Sequence, residues 1–262
     1  MCYNNNMIMV FDIGNTHITI GFVKNGKVLC EMRDPSTDFL LGDFLKYIKE
    51  QFSLKKIKKS DIKSCAISSV VPVLTEPIKS FCKKEFKKEP FIIDSTKTIL
   101  KIKQGSIADL GADRIADIEA ALFLYPKKDL IILDFGTANT FCAVSKEGYY
   151  LGGAISAGLN LTMKALAQGA AQLGEVPLTE AKYAAGMTTQ TQVQAGLYFT
   201  LLGSAKEITK RLKAEVFPKS KVLVVGTGGV ANLYTKQGIF DVFEPNLTLL
   251  GIAYLAKKYK KG

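Results

Sequence analysis

The sequence predicts an α/β protein built from two domains of related design, for three reasons. Its 262 residues are enough for two domains of ordinary size, and 47% of them are apolar, which supplies an ample core. A motif of an acidic residue and a glycine occurs as Asp12 with Gly14 and returns 122 residues later as Asp134 with Gly136. In both halves, runs of strand type precede runs with helical spacing.

Three antiparallel strands begin each half. The strands are predicted over 7–11, 17–23 and 27–32, and their copies over 130–135, 139–145 and 149–155. The second strand alternates apolar with polar or small residues, as a half-buried strand does. Asn25-Gly26 is a strong hairpin signal, and Glu147-Gly148 stands at the matching place in the copy. We interpret the two stretches as copies of one strand-turn-strand-turn-strand unit.

Helices and buried strands then alternate. Helices are predicted over 39–52, 74–88, 115–124, 162–172, 188–216 and 247–258, and strands over 63–71, 91–94 and 221–225. Strand then helix, repeated, adds parallel strands to each opening meander. This order is that of the duplicated ribonuclease-H-like fold shared by sugar kinases, actin and heat-shock ATPases. The sequence therefore predicts two such domains, 1–115 and 116–262, with the active site in the cleft between them.

Composition excludes few functions. Thirty-five Lys and Arg against 24 Asp and Glu give a net charge of +11, which suits an anionic ligand or nucleic acid. The lysines cluster near the ends of predicted helices, so we interpret them as solvated faces. Five cysteines without a C-x-x-C pair indicate reduced thiols of a cytoplasmic protein. We expect neither a signal peptide nor a membrane span.

The two acidic hairpins are the first candidates for chemistry. Gly14 and Gly136 let the backbone turn tightly and approach phosphates, to which N–H groups can donate. Asp12 and Asp134 can hold a cation, directly or through water. One such motif after a strand is ordinary turn chemistry, whereas two in matching contexts favour a phosphate and cation site.

A glycine turn and a charged motif extend the candidate site. Residues 226–229, Gly-Thr-Gly-Gly, follow a buried strand and suit a nucleoside pocket, although alone they are a simple turn. Arg114 can hold a substrate carboxylate with two hydrogen bonds. Asp113 can accept the proton of an attacking hydroxyl, and helix capping by the same side chain stays open as an alternative. His17, the only histidine, receives no catalytic role.

With these motifs the sequence resembles the type III pantothenate kinases, whose regulatory relatives include the Bvg accessory factor proteins. The matching motifs, in the family's order, are Asp12-Ile-Gly-Asn-Thr16 with Gly21, Ser68-Ser-Val-Val-Pro72, Gly111-Ala-Asp-Arg114, Asp134-Phe-Gly-Thr-Ala138, Gly152-Gly153 with Gly158, Thr189 with Gly196, Gly228-Gly229 and Pro245-Asn-Leu-Thr-Leu249. The resemblance implies that ATP phosphorylates the primary hydroxyl of pantothenate to 4'-phosphopantothenate, the first step of coenzyme A biosynthesis. It also implies a homodimer.

The resemblance further implies a role for each site residue. Asp113 is the catalytic proton acceptor, Asp134 holds a monovalent cation, K⁺ or NH₄⁺, and Thr137 contacts ATP, which brings Mg²⁺. The first phosphate segment comprises Asp12, Ile13, Gly14, Asn15, Thr16, His17, Ile18 and Thr19. The pantothenate-binding residues are Gln104, Gly111, Ala112, Asp113, Arg114 and Thr189. Gln104, Ala157 and Cys142 depart from the family's pattern, mainly on the pantothenate side.

Two other functions stay open. A kinase for another small hydroxy acid would keep the same fold and phosphate site. A non-catalytic regulatory or nucleic-acid-binding protein would keep the fold and use the net charge, and its binding would fall steeply with salt. Retention of Asp12, Asp113 and Asp134 argues against the second function, so we expect no nucleic acid partner.

Overall fold

The computed structural model describes residues 7–35, 41–54, 57–102, 105–170 and 173–259. Their strands are β1 Met7–Ile13, β2 His17–Lys24, β3 Lys27–Pro35, β4 Ile62–Ser69, β5 Phe91–Ile92, β6 Lys101–Ile102, β7 Asp129–Phe135, β8 Ala138–Val144, β9 Tyr149–Ala157, β10 Val222–Thr227 and β11 Val242–Phe243. Their α-helices are α1 Leu41–Leu54, α2 Pro72–Phe86, α3 Ala112–Leu124, α4 Leu159–Gly169, α5 Thr189–Val216 and α6 Leu247–Tyr259.

The chain divides into two compact units. Unit 1 contains the described residues up to 100 together with 105–123 and 246–259, and unit 2 contains 101–102 and the described part of 124–245. The predicted domain boundary between residues 115 and 116 falls inside α3, and the C-terminal helix α6 belongs to unit 1 rather than to the second half.

Unit 1 contains the predicted meander. Its sheet has the strand order β3-β2-β1-β4-β5, with β1, β2 and β3 antiparallel and with β4 and β5 added in parallel. Asn25 and Gly26 have φ angles of 54° and 74°, and two consecutive positive φ angles match the twist of a tight hairpin. The Asn-Gly signal therefore sets the register of β2 against β3.

One face of the unit 1 sheet packs on α1 and α2 through aromatic side chains. Phe22 and Phe52 lie 5.5 Å apart between ring centroids, as do Phe81 and Phe86, both pairs edge to face. Cys65 and Cys82 are buried in the same cluster as free thiols. The hydrogen bond with Cys65, together with burial, raises the pKa of Cys82 above its ordinary value. Both thiols are thus part of the core.

The other face of this sheet is covered by α6. A Cβ at Gly21 of β2 would lie 2.9 Å from side-chain atoms of Leu249 and Val10. A Cβ at Gly251 of α6 would lie 2.0 Å from the carbonyl oxygen of Ala116, so the backbones of α6 and α3 touch. This non-local packing explains why the C-terminal helix completes unit 1.

A buried carboxylate fastens α3 to its surroundings within unit 1. Glu119, 1% exposed, accepts through Oε1 from Thr98 Oγ1 and from the Ile99 N–H, each at 2.6 Å. Its Oε2 lies 3.5 Å from Lys258 Nζ of α6, an ion pair without hydrogen-bond geometry. Glu119 therefore connects α3, α6 and the strand-linking segment before residue 100.

Unit 2 repeats this design. Its sheet order is β11-β10-β7-β8-β9-β6, so that β9-β8-β7-β10-β11 matches β3-β2-β1-β4-β5 of unit 1. The additional strand β6, parallel to β9, and the edge strand β11 were not predicted. Each has two residues, which is too short for periodicity to show. Among the described residues, no helix has both the length and the hydrophobicity to cross a membrane.

We predict that Gly251→Ala lowers the stability of unit 1. The added methyl group meets backbone rather than a flexible side chain, and overpacking of this kind costs about 2 kcal/mol. The midpoint of urea denaturation, followed by circular dichroism, measures the effect. Gly203→Ala is the control, because an exposed glycine in α5 with no atom within 4 Å of its Cβ position should gain up to about 1 kcal/mol. Equal midpoints for Gly251→Ala and wild type would contradict the close contact.

Candidate active site

The first hairpin places Asp12 at the end of β1. The Gly14 N–H donates to the carbonyl oxygen of His17 at 3.0 Å, which closes the turn. Asp12 is paired in register with Thr19 on β2 and with Ser68 on β4, and residues paired in this way share one face of a sheet. Ser68 is completely buried, and its Oγ has no hydrogen-bond partner among the described residues.

Three of the sequence motifs meet beside this hairpin in unit 1. In the Ser-Ser-Val-Val-Pro loop after β4, the Val70 N–H donates to the carbonyl oxygen of Ile13 at 3.0 Å. Val70 Cγ1 lies 3.5 Å from the Cβ position of Gly111. The loop is braced by Ser69 Oγ, which accepts from Thr75 Oγ1 at 2.8 Å. The first hairpin and the Gly-Ala-Asp-Arg segment therefore contact the same valine.

Asp113 lies in the first turn of α3, which begins three residues earlier than predicted. Gly111 O accepts from the Ile115 N–H at 3.1 Å, and Asp113 Oδ1 accepts from the Arg114 N–H at 2.8 Å. A Cβ at Gly111 would lie 2.5 Å from Asp113 Oδ1, so any other residue there would displace that carboxylate. Asp113 thus contacts a backbone N–H at the helix N-terminus, where the helix dipole favours a negative charge. Oδ2 takes no part in this contact, so capping and proton acceptance are compatible.

The second hairpin has the same construction in unit 2. The Gly136 N–H donates to the carbonyl oxygen of Ala138 at 3.2 Å, and Asp134 is paired in register with Thr140 on β8 and Thr227 on β10. Gly158 donates to Thr137 O at 3.0 Å, and a Cβ at Gly158 would lie 2.2 Å from Gly136 O. Residues after β9 therefore press directly on the hairpin that carries Asp134.

The predicted nucleoside loop lies against Asp134. Gly228 has a φ of +99°, and a Cβ there would lie 2.4 Å from Asp134 Oδ1. The Val230 N–H donates to the carbonyl oxygen of Phe135 at 3.3 Å. A residue other than glycine would therefore be strained in its backbone and would collide with the carboxylate. Gly228 therefore lies directly against the Asp134 carboxylate.

The Asp134 carboxylate and the hydroxyl-bearing residues paired with it, Thr140 and Thr227, offer oxygen donors that suit a hard cation. Within the described ranges, no three His, Cys, Asp or Glu side chains are grouped as metal ligands. One carboxylate with carbonyl and hydroxyl oxygens is a hard oxygen environment. Mg²⁺ is usually held by one or two carboxylates plus substrate phosphates, so it would enter with the nucleotide.

Thr189 lines a cavity inside unit 2 that the sequence did not predict. The cavity has a volume of about 610 Å³ and lies among β8, β9, α4 and α5, with Asn139, Thr162 and Thr200 as polar lining and with apolar side chains such as Leu166. Asn139 Nδ2 donates to Ala157 O at 2.8 Å. Asn139 is 2% exposed and its Oδ1 has no hydrogen-bond partner within the described part of the chain. The only sign of this cavity in the sequence was a polar residue, Asn139, within a buried strand.

Two of the three departures from the family's pattern, Ala157 and Cys142, lie in different environments. Ala157 contributes the carbonyl that Asn139 contacts, at the cavity wall. Cys142 is 2% exposed on β8, opposite Gly153 of β9. It is buried within the sheet and does not line the cavity that contains Thr189. Gln104 lies outside the described residues, so its predicted contact with pantothenate stays a prediction.

Comparison with known proteins gives the family. The sequence profile described as type III pantothenate kinase matches residues 8–211. A relative named type III pantothenate kinase, from Elusimicrobium minutum, is 41% identical over 251 residues, which cover 94% of this chain and 96% of the relative. The chain belongs to the type III pantothenate kinase family. A second relative of that name, from Legionella pneumophila, is 38% identical over 254 residues, covering 95% of this chain and 98% of its own.

Solved structures agree with the predicted fold class of this family member. A protein from Campylobacter jejuni, described as of the Baf family of transcriptional activators, superposes with a TM-score of 0.57 at 20% identity, covering 97% of this chain and all of its own. The activator of 2-hydroxyisocaproyl-CoA dehydratase from Clostridium difficile superposes with a TM-score of 0.51 at 14% identity, covering 97% and 96%. These likenesses concern the fold alone. The prediction of two ribonuclease-H-like domains is confirmed.

Proposed function

We propose that this chain transfers the γ-phosphate of ATP to the primary hydroxyl of pantothenate, giving 4'-phosphopantothenate in the cytoplasm as the first step of coenzyme A biosynthesis. Family membership supports the reaction. One structural observation supports the residue assignment most strongly: Val70 is hydrogen-bonded to the first phosphate hairpin at Ile13, and its Cγ1 lies 3.5 Å from the Cβ position of Gly111 in the Gly-Ala-Asp-Arg segment. The proposed phosphate site and the proposed proton acceptor therefore lie beside the same residue of unit 1.

Asp113 is the proposed catalytic residue. Phosphoryl transfer passes through a loose transition state, so the protein mainly positions the reactants and neutralises charge. The Asp113 carboxylate, fixed by the Arg114 N–H, orients the pantothenate hydroxyl and takes its proton late in the transfer. The guanidinium of Arg114 binds the pantothenate carboxylate with a bidentate pair of hydrogen bonds.

The phosphate donors differ slightly from the sequence prediction. The N–H groups of Gly14 and Gly136 each close their own turn, so the glycines permit the bend and do not supply the donors. We assign phosphate binding in the first segment to the N–H groups of Asn15 and Thr16. Thr137, exposed at the tip of the second hairpin, is the proposed ATP contact in unit 2.

Asp134 is the proposed ligand of a monovalent cation. When bound, K⁺ or NH₄⁺ offsets part of the negative charge of the phosphates, and Mg²⁺ accompanies ATP. Gly228 leaves room beside the Asp134 carboxylate that a Cβ, only 2.4 Å from Oδ1, would fill, so the proposed cation site needs a glycine there.

A homodimer is also part of the proposal. Large apolar side chains are exposed in unit 2 between residues 155 and 187, namely Ile155, Leu161, Leu166, Tyr183 and Met187. Exposed apolar side chains are typical of interaction surfaces where they form one patch, and we propose that these residues do so. Leu166 also lines the cavity that contains Thr189, a proposed pantothenate-binding residue, so a second copy on this surface would cover part of that cavity.

The first prediction concerns Asp113. In a coupled assay of ADP release, wild type should depend on pantothenate, and Asp113→Asn should lower kcat by about a hundredfold or more while the pantothenate KM changes little. Asp109→Asn is the control. Asp109 is exposed and lies four positions earlier, and this substitution makes the same charge change, so the variant should behave as wild type. Near-normal turnover by Asp113→Asn would refute the assignment. Preference for another hydroxy acid, or salt-sensitive DNA binding without ADP release, would favour the alternative functions.

The second prediction concerns the cation. Replacing K⁺ by Na⁺ at equal ionic strength should reduce turnover, and NH₄⁺ should restore it. Asp134→Asn should weaken the response to K⁺, because a neutral amide loses the charge attraction. Titration of K⁺ against ADP release measures both effects. Equal rates in Na⁺ and K⁺ would rule out a monovalent cation site at Asp134.

The third prediction concerns assembly. Wild type should sediment as a dimer, and a charge at Met187, 91% exposed, should shift it towards monomer and raise the pantothenate KM. Met187→Glu tests this by analytical ultracentrifugation. Val73→Glu, which charges an exposed apolar residue of α2 in unit 1, is the control and should leave the dimer intact. A monomeric wild type would refute the homodimer, whereas a dimeric Met187→Glu variant would place the interface elsewhere.

A further inference from the structure

An arginine of β3 stands beside the first phosphate hairpin. Arg33 Nη2 lies 3.2 Å from Nδ1 of His17, the residue directly after Thr16. A guanidinium can only donate, so Nδ1 accepts, the ring proton is on Nε2, and the imidazole is neutral. His17 therefore holds the guanidinium at the end of the hairpin.

Strand register places Arg33 in line with Asp12. Arg33 is opposite Thr19 across β3 and β2, and Thr19 is opposite Asp12 across β2 and β1. Directly paired residues point to the same face, and adjacent strands lie about 4.8 Å apart, so the Arg33 and Asp12 backbones are separated by about 10 Å. Ser68 continues the row on β4. Four polar residues thus cross the sheet in one line, which we name the polar row: Arg33, Thr19, Asp12 and Ser68.

The polar row lies on the face away from the aromatic core. Ile18 and Met32, the neighbours of Thr19 and Arg33 in sequence, are buried in that core, so the alternation of a strand turns Thr19 and Arg33 to the opposite face. There α6 covers Gly21, two residues beyond Thr19. Thr19 and Asp12 are half-buried and Arg33 is exposed, so these three residues of the polar row are accessible, whereas Ser68 is completely buried.

The charge of Arg33 is not balanced by an acid among the described residues. The ion pairs found there do not include Arg33, and its hydrogen-bond partner His17 is neutral. A guanidinium has five N–H donors in a planar fork, and the imidazole takes one of them. An arginine held in place by a neutral partner, beside a hairpin shaped for phosphates, is preorganised for an anion. A surface arginine without these contacts would gain little.

We propose that Arg33 binds the phosphate chain of the nucleotide, so that the first phosphate segment extends from the β1–β2 hairpin to β3. This inference rests on the proposed function, since it deepens the ATP site. It assigns the charge-neutralising role in unit 1 to a residue outside the Asp12-to-Thr19 segment. His17 then acts as a positioning residue, because it fixes the guanidinium through Nδ1.

The test separates phosphate binding from nucleoside binding. ADP and adenosine are titrated by calorimetry into the full-length wild type, Arg33→Gln and Arg33→Lys. Arg33→Gln should weaken ADP binding about tenfold or more, since it removes a charge-assisted contact, and should leave adenosine binding unchanged. Arg33→Lys keeps the charge but loses the planar fork of donors, so its ADP affinity should lie between those of wild type and Arg33→Gln.

Arg211→Gln is the matched control. Arg211 of α5 is exposed and paired with Glu207, so its loss removes the same charge from unit 2, and ADP affinity should not change. ADP affinity of Arg33→Gln equal to wild type would overturn the inference while leaving the kinase assignment intact. Equal weakening of ADP and adenosine would also overturn it, because that pattern indicates a structural role. If Arg33→Gln does not fold, the ADP and adenosine affinities of Arg33→Lys are compared with those of wild type in the same way. A wild type that binds no ADP would instead overturn the proposed function.

Discussion

Parallel pairing of β1 with β4, and of β7 with β10, is the constraint on which both halves depend. It brings the carboxyl ends of two strands to one edge of each sheet, where the acidic residue of the hairpin meets the loop that follows the partner strand. Asp12 is thereby placed beside Ser68, and Asp134 beside Thr227. The loops that leave these edges, at Val70 in unit 1 and at Gly228 in unit 2, then contact the functional segments directly.

The repeated meander could be predicted from sequence because its signals are local. A turn of Asn-Gly, a period of two and an acid-glycine motif each act within a few residues. The two-residue strands β6 and β11 carry no such pattern, and the division into units depends on contacts across the chain. The touching backbones of Gly251 and Ala116 are separated by 135 positions, which no local pattern reveals.

The residues of the candidate site likewise divide into those that the sequence reveals and those that only the structure reveals. Asp12 and Asp134 stood out because the acid-glycine motif occurs twice in matching contexts, and the Gly-Ala-Asp-Arg segment because an acid and an arginine are adjacent at the start of a predicted helix. Arg33 and Asn139 did not, since a single polar residue in a strand gains significance only from what lies opposite it. The turn glycines illustrate a further difference: their permissive backbone was predicted, but the use of their N–H groups to close the turns needed coordinates.

Placement of α6 in unit 1 has a consequence for the order in which the chain matures during synthesis. All the strands of the first sheet leave the ribosome before residue 124, yet the helix that covers one face of that sheet emerges only after unit 2. Apart from β6, unit 2 comes from residues 124–245, so it can complete its core before α6 is made, although it is translated after the first sheet. The first sheet is thus covered last, and its apolar residues around Gly21 stay exposed to chaperones, or to a wrong partner, until α6 has been synthesised.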